Sequence, residues 1–270
     1  MCLIALAWQR HPEFPLLIAA NRDEFHARPT QAADFWPDHP GLCAGRDLAA
    51  GGTWLGITRG GRFAAITNRR GHPAPPAAPS RGLLTLDFLV GSEPPREYMN
   101  RLRASCEDYA GFNLLAGEIG GDLHYLGNHG PRMERLEPGV YGLSNDMLDT
   151  PWPKLLGVRE ELSALLCTHP EPGAILALLA DRSVPPDHAL PDTGVGLEQE
   201  RRLGPRFICS PDYGTRTSAC VRVHREGWVE FTERSFDADG VVQATVQHRF
   251  DVDNTDLHGV IMPPATETRP

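Results

Sequence analysis

The sequence lacks every pattern that would make its cysteines a metal site. Six occur, at positions 2, 43, 106, 167, 209 and 220, with no CxxC pair and no zinc-ligand spacing. In a reducing compartment most of them read as small buried hydrophobes. No apolar run approaches the roughly 20 residues that span a bilayer, so no membrane span is expected. The apolar opening, Met1 to Trp8, has no basic flank and runs into Gln9-Arg10-His11. That is not a secretory signal and points to a cytoplasmic protein. A basic excess is also missing. The 35 Asp and Glu outnumber the 26 Lys and Arg, for a formal charge of -9, which argues against a general nucleic-acid binder with its usual basic face. Internal repeats and low-complexity segments are absent too.

What is present is an ordinary globular composition, 41% hydrophobic and 23% charged, in a chain long enough to bury a large core. One domain over residues 1–255 with a frayed tail over 256–270 is expected. Cys2 to Trp8 and Pro15 to Ala20 are apolar runs joined across Pro12, an antiparallel hairpin that begins at the second residue. Residues 25–50, with Pro29, Pro37 and Pro40, read as a long surface loop. Thr53 to Thr58 and Arg62 to Thr67 form a second hairpin across Gly60-Gly61. Helices follow over 81–89, with Ser80 as a candidate cap, and over 94–107, with Tyr98, Leu102 and Cys106 toward the core. Strands resume over 111–117, 122–127 and 140–143. A helix over 152–167, capped by Asp149 or Thr150, precedes another over 172–181 with Leu176, Leu178 and Leu179 buried. Residues 182–204 read as an irregular excursion. Strands over 206–218, 219–224 and 228–236 close the chain, with an edge strand over 241–250. Antiparallel hairpins segregated from helices predict an α+β fold, two sheets face to face with helices outside.

Cys2 is singled out by position. When an initiator methionine is followed by a small residue it is commonly removed, which would place a thiol and a free α-amino group on one residue. An α-amino group has a pKa of roughly 8, about two units below lysine, so near neutral pH it can act as a base toward its own thiol. The competing reading is a small apolar residue opening a strand. The second strand runs into Asn21-Arg22-Asp23-Glu24, which a tight hairpin carries back beside Cys2. An arginine there can stabilise a thiolate or an oxyanion, and a carboxylate can hold the ammonium; a solvated ion pair is the alternative. Gly51-Gly52 permits a tight turn or a close backbone approach. Asn68 ends a strand, as does Asn145, where an amide can donate to an oxyanion or cap a turn.

Cys2, Asn21-Arg22-Asp23-Glu24, Gly51 to Gly56 with Trp54, Gly142 to Asn145, Leu148 to Lys154, and Tyr213 to Ser218 together resemble the NRDE family, which includes the Transport and Golgi Organization 2 proteins. The resemblance runs from residue 2 to about residue 250. It implies a four-layer αββα N-terminal-nucleophile hydrolase fold, similar to the cysteine branch that cleaves non-peptide amide bonds. It further implies a catalytic set of Cys2, Arg22, Asp23, Asn68, Asn145 and Arg216, with Asn21, Glu24 and Trp54 near the substrate. Arg22 and Asp23 are adjacent, whereas the hydrolases space this pair by two. Adjacent strand residues point to opposite faces, so both reach one site only if the strand has ended or bulged, and Glu24 is a rival for the carboxylate role. The expected activity is hydrolysis of an amide or thioester of a small molecule through an acyl-cysteine, with no cofactor. The family is also associated with haem and with lipid or acyl-CoA metabolism, which implies a second class, a haem or acyl-lipid carrier on the same fold. A haem needs an axial ligand, commonly His or Cys. The eleven histidines match no haem motif, and His26, His39, His72, His124 and His129 read as loop or surface residues. A former hydrolase kept as a scaffold is a third class.

Overall fold

A computed structural model describes residues 2–72, 74–129 and 133–253; the tail expected over 256–270 lies outside them. The chain opens with the hairpin β1 (Cys2–Trp8) and β2 (Leu16–Phe25), in register from Cys2 opposite Arg22 to Trp8 opposite Leu16. Next come β3 (Thr30–Trp36), β4 (His39–Asp47), β5 (Leu55–Thr58) and β6 (Arg62–Asn68), then helices α1 (Gly82–Val90) and α2 (Pro95–Arg103). Strands β7 (Phe112–Glu118), β8 (Leu123–Gly127), β9 (Met133–Arg135) and β10 (Gly139–Leu143) lead to α3 (Pro153–Leu165), α4 (Pro172–Leu178) and α5 (Leu197–Leu203). Three long strands finish the described chain: β11 (Tyr213–Val223), β12 (Trp228–Phe236) and β13 (Val242–Asp251).

Two antiparallel sheets result, in the orders β10-β1-β2-β11-β12-β13 and β3-β4-β5-β6-β7-β8-β9. Alternation along the first hairpin decides the layers. Cys2, Ile4, Leu6, Trp8, Leu16, Ile18 and Ala20 face the second sheet and join the main core. Leu3, Ala5, Ala7, Leu17 and Ala19 face the other way, onto Leu155, Val158 and Leu162 of α3 and Ile175 and Leu176 of α4. Helices α1 and α2 cover the outer face of the second sheet through Leu84, Phe88, Tyr98 and Leu102. The first hairpin is thus buried on both faces, which is why its strands read as continuous apolar runs. Each fully buried Leu or Ile there contributes about 2 kcal/mol of burial free energy.

Several sequence expectations are corrected. Residues 25–50 are a hairpin, β3 and β4, rather than a surface loop. Pro37 sits in its turn, and Trp36, Leu42, Cys43 and Ala44 are buried, Leu42 and Ala44 on the side of Leu89 of α1. The prolines lie at bends and irregular pairings of the outermost hairpin, where a missing N–H is tolerated. Residues 206–210 form no strand, and 213–223 is one strand rather than two. Ser80 caps nothing with its side chain, since the α1 cap position is Arg81. Neither Asp149 nor Thr150 caps α3, which starts after Trp152. The excursion over 182–204 contains α5. His124 lies in β8 and is buried, not on the surface.

Candidate active site

The motif Asn21-Arg22-Asp23-Glu24 lies wholly within β2, and alternation splits it into two pairs. Arg22 shares the inner face with Cys2, its Cα partner on β1. Its Nη1 crosses to donate to Thr30 Oγ1 of the second sheet at 3.2 Å, and Nη2 stands 3.7 Å from Glu24. Asn21 faces outward and is fully buried. Its Nδ2 donates to the carbonyls of Leu179 and Arg206 at 3.0 and 2.8 Å, and its Oδ1 accepts from Ser218 at 2.6 Å. Its amide is therefore engaged with the helical layer and does not reach the Cys2 cavity. Asp23 also turns outward, accepting from Thr215 Oγ1 at 2.7 Å. Strand β2 neither ends nor bulges at this point, so Arg22 and Asp23 go to opposite faces. The irregularity sits on the neighbouring strand. In β11 the register shifts between Thr215 and Thr217, leaving Arg216 as an extra residue. The bulge turns Thr215 to the face that Asp23 occupies. Arg216 itself is directed to the carbonyls of Phe25, His26 and Arg28, each at 3.0 Å. It braces the end of β2 and does not line the cavity.

A cavity of about 160 Å³ opens at Cys2. Arg22, Asp23, Glu24, Trp54 and Asn68 contribute to its wall, so six of the nine expected site residues converge there. Asn145 stands behind it. Its Nδ2 donates to Asn68 O at 3.2 Å and to Asn68 Oδ1 at 2.7 Å, while Ser144 Oγ donates to the Cys2 carbonyl at 3.0 Å. With both Asn145 contacts made to Asn68, the Asn68 amide is fixed with Oδ1 accepting and Nδ2 as its donor. The wall near Trp54 depends on two glycines. Gly51 has φ +78, and a side chain at Gly52 would come within 2.4 Å of the Gly82 backbone, where Thr53 N donates to Gly82 O at 3.1 Å. The turn and the close approach both occur, and they dock the start of α1 against the cavity.

Electrostatics separate the two faces. Burial pushes the Cys2 thiol up and Asp23 adds to the rise, while Arg22 pulls it down and Glu24 opposes that. At neutral pH the thiol therefore keeps its proton until a base removes it. On the outer face, burial raises Asp23, opposed by Lys154, by the Thr215 hydrogen bond and by Arg70. Lys154, the only lysine in the chain, is buried on the first turn of α3 and donates to the Leu203 carbonyl at 3.1 Å. Burial and nearby Arg70 lower it to about 8, although Asp23 and Glu200 pull the other way. Arg70 pairs with buried Glu200 at 2.7 Å, and the two cations flank the Trp152 ring at 5.0 and 5.7 Å. This layer of charge behind the hairpin was missed by sequence reasoning. The signal available was a solitary lysine following Pro-Trp-Pro.

Arginines and carboxylates form much of the cavity wall, and Cys2, not a histidine, is its lining residue of the His or Cys type that ligates haem. Among the described residues no helix is long and apolar enough to cross a membrane.

A sequence profile of the Transport and Golgi organisation 2 family matches residues 1–238. The chain belongs to the Transport and Golgi organisation 2 family. It is 37% identical over 272 residues to the Bos taurus Transport and Golgi organization protein 2 homolog, spanning 93% of this chain and 99% of the relative. The Homo sapiens homolog is 36% identical over 256 residues, covering 87% and 93%. Among solved structures, penicillin V acylase from Agrobacterium tumefaciens superposes with a TM-score of 0.52 at 10% identity, covering 95% of this chain and 88% of that one. The C2A mutant of conjugated bile acid hydrolase from Clostridium perfringens gives 0.52 at 8% identity, covering 96% and 94%. At such identities the likeness concerns the fold, which is that of the N-terminal-nucleophile hydrolases.

Proposed function

We propose that this family member is an N-terminal cysteine hydrolase that cleaves a non-peptide amide or thioester of a small molecule. The observation that carries the reading is Cys2 at the floor of a cavity, directly across the hairpin from the inward guanidinium of Arg22. Removal of Met1 exposes the α-amino group of Cys2, which takes the thiol proton. The thiolate sulfur then bonds to the substrate carbonyl carbon, and the C–N or C–S bond breaks as the ammonium returns that proton to the leaving group. Water attacks the thioester, the acid departs and the thiol is restored. Asn68 Nδ2, fixed by Asn145, donates to the oxyanion, which supports a barrier reduction of roughly 3 kcal/mol. Arg22 favours the thiolate. The outward turn of Asp23 suits it to hold the ammonium rather than to touch substrate.

Intact mass and peptide mapping during brief alkylation test the reading. Cys167 and Cys209 are the exposed cysteines and set the ordinary rate. The expected result is a chain without Met1 whose Cys2 labels faster than either, and a Cys2→Ala protein devoid of turnover on any amide or thioester that the wild type cleaves. Retained Met1, or full turnover without the thiol, overturns it.

A further inference from the structure

Four arginines line the Cys2 cavity, and three of them are matched by carboxylates. Arg28 pairs with Asp47 at 2.7 Å, Arg46 with Asp38 at 2.7 Å, and Arg22 with Glu24 at 3.7 Å. Arg81 is the exception. Its Nη1 donates to the Gly111 carbonyl at 2.8 Å, and no described carboxylate lies within 4.0 Å of it. None of its nitrogens is both buried and unsatisfied, and the residue lines the cavity. The backbone beneath it is pinned by the Gly52–Gly82 approach. The positive end of α1 adds to this wall, and its first turn contains no acidic residue. In a chain with a net charge of -9, an unmatched guanidinium set into a cavity wall beside a nucleophile marks the place of an anion.

Arg81 also stands at a junction. With Glu24 and Asn68 it lines a second groove, which continues over Tyr213, Leu203 and Gln199. A substrate reacting at Cys2 and leaving along this groove passes the guanidinium.

We infer that the Cys2 cavity selects substrates bearing a carboxylate or phosphate group, which Arg81 holds at the junction of cavity and groove. The inference rests on the proposed nucleophilic role of Cys2 for its catalytic meaning, but not for the binding of the anion.

The test compares two alkylators of nearly equal size in a Cys167→Ser/Cys209→Ser protein. Iodoacetate carries a carboxylate and iodoacetamide does not. In each reaction the Cys2 thiolate displaces iodide and forms one S–C bond. The expected result is an iodoacetate-to-iodoacetamide rate ratio at Cys2 about tenfold or more above that of glutathione measured alongside. Arg81→Gln should return the ratio to the glutathione value, and Arg81→Lys should keep part of it. A ratio equal to that of glutathione and unmoved by Arg81→Gln overturns the inference while leaving the nucleophile intact. If Cys2 reacts with neither reagent, the nucleophile reading fails, and calorimetric titration with succinate, inorganic phosphate and neutral succinamide decides the anion site. Binding of either anion, absent for succinamide and lost in Arg81→Gln, sustains it and tells carboxylate from phosphate. No Arg81-dependent heat sinks it.

Discussion

The two faces of the β2 terminus hold similar residues and treat them differently. On the inner face Arg22 and Glu24 stand beside a cavity, with an ion-pair distance of 3.7 Å and side chains 8% and 24% exposed. On the outer face Asn21 is sealed beneath helices, with every polar atom of its amide partnered by protein, while Asp23 accepts from Thr215 and also contributes to the cavity wall. A motif that looks like one polar cluster is two interleaved pairs, one facing reactive space and one fastening the sheet to its helical layer. Surroundings, not residue type, assign each role: a polar group under helices must be satisfied by protein, whereas one at a cavity can wait for a ligand.

Breaking the outer pair should cost the most stability. Asn21→Ala leaves two buried carbonyls and the Ser218 hydroxyl without partners, and urea unfolding should show a loss of roughly 3 kcal/mol. The Cys2 alkylation rate of the folded protein should hold steady; a collapse of that rate at unchanged stability would put Asn21 in the site after all.

Lys154 sharpens the same face through pH. Its folded pKa of about 8 lies below the ordinary 10.5. Between those values the unfolded chain binds the extra proton, so wild-type stability rises with pH across that window, by up to about 3 kcal/mol. Lys154→Met removes the titration. The wild-type minus variant difference should therefore climb from pH 8 to pH 10.5, and a flat difference would mean that the ammonium is solvated.

On the inner face the effects should be kinetic. Arg22→Met removes a cation that lowers the thiol, so Cys2 alkylation at pH 7 should slow severalfold as the thiol titrates higher. Smallest is Glu24→Gln. The partly exposed pair at 3.7 Å should contribute under about 1 kcal/mol to stability, and alkylation should quicken slightly because a charge that raises the thiol is gone. A large loss of turnover in Glu24→Gln, with Asp23→Asn unaffected, would make Glu24 the working carboxylate.

Much of this architecture was legible in the residues. Continuous apolar runs at 2–8 and 15–20 announced a strand pair covered on both faces, and the Gly60-Gly61 turn fixed the second hairpin. Periodicity placed the buried sides of α2 and α4. The hairpin at 25–50 was hidden because its prolines read as loop residues, whereas Pro29 and Pro37 lie just outside the strands and Pro40 falls where the pairing is irregular. Of the candidate site, Cys2, Arg22, Asp23, Glu24, Trp54 and Asn68 converge; the first hairpin carries residue 22 back to residue 2, and the second sheet brings Trp54 and Asn68 to them.

Sequence was sufficient for much of what depends on local order: the type of most strands and helices, the pairing of the first two strands, and the nearness of Cys2 and Arg22. It could not decide that β2 stays regular through the motif, nor that the bulge falls instead at Arg216, in a strand almost two hundred positions away, where it turns Thr215 to the face of Asp23. Nor could it place Asn145 behind Asn68, set Lys154 under the hairpin, or leave Arg81 without a carboxylate. Those are contacts between segments distant in sequence, and they exist only once two sheets close face to face and exclude the water that would otherwise have satisfied each group separately.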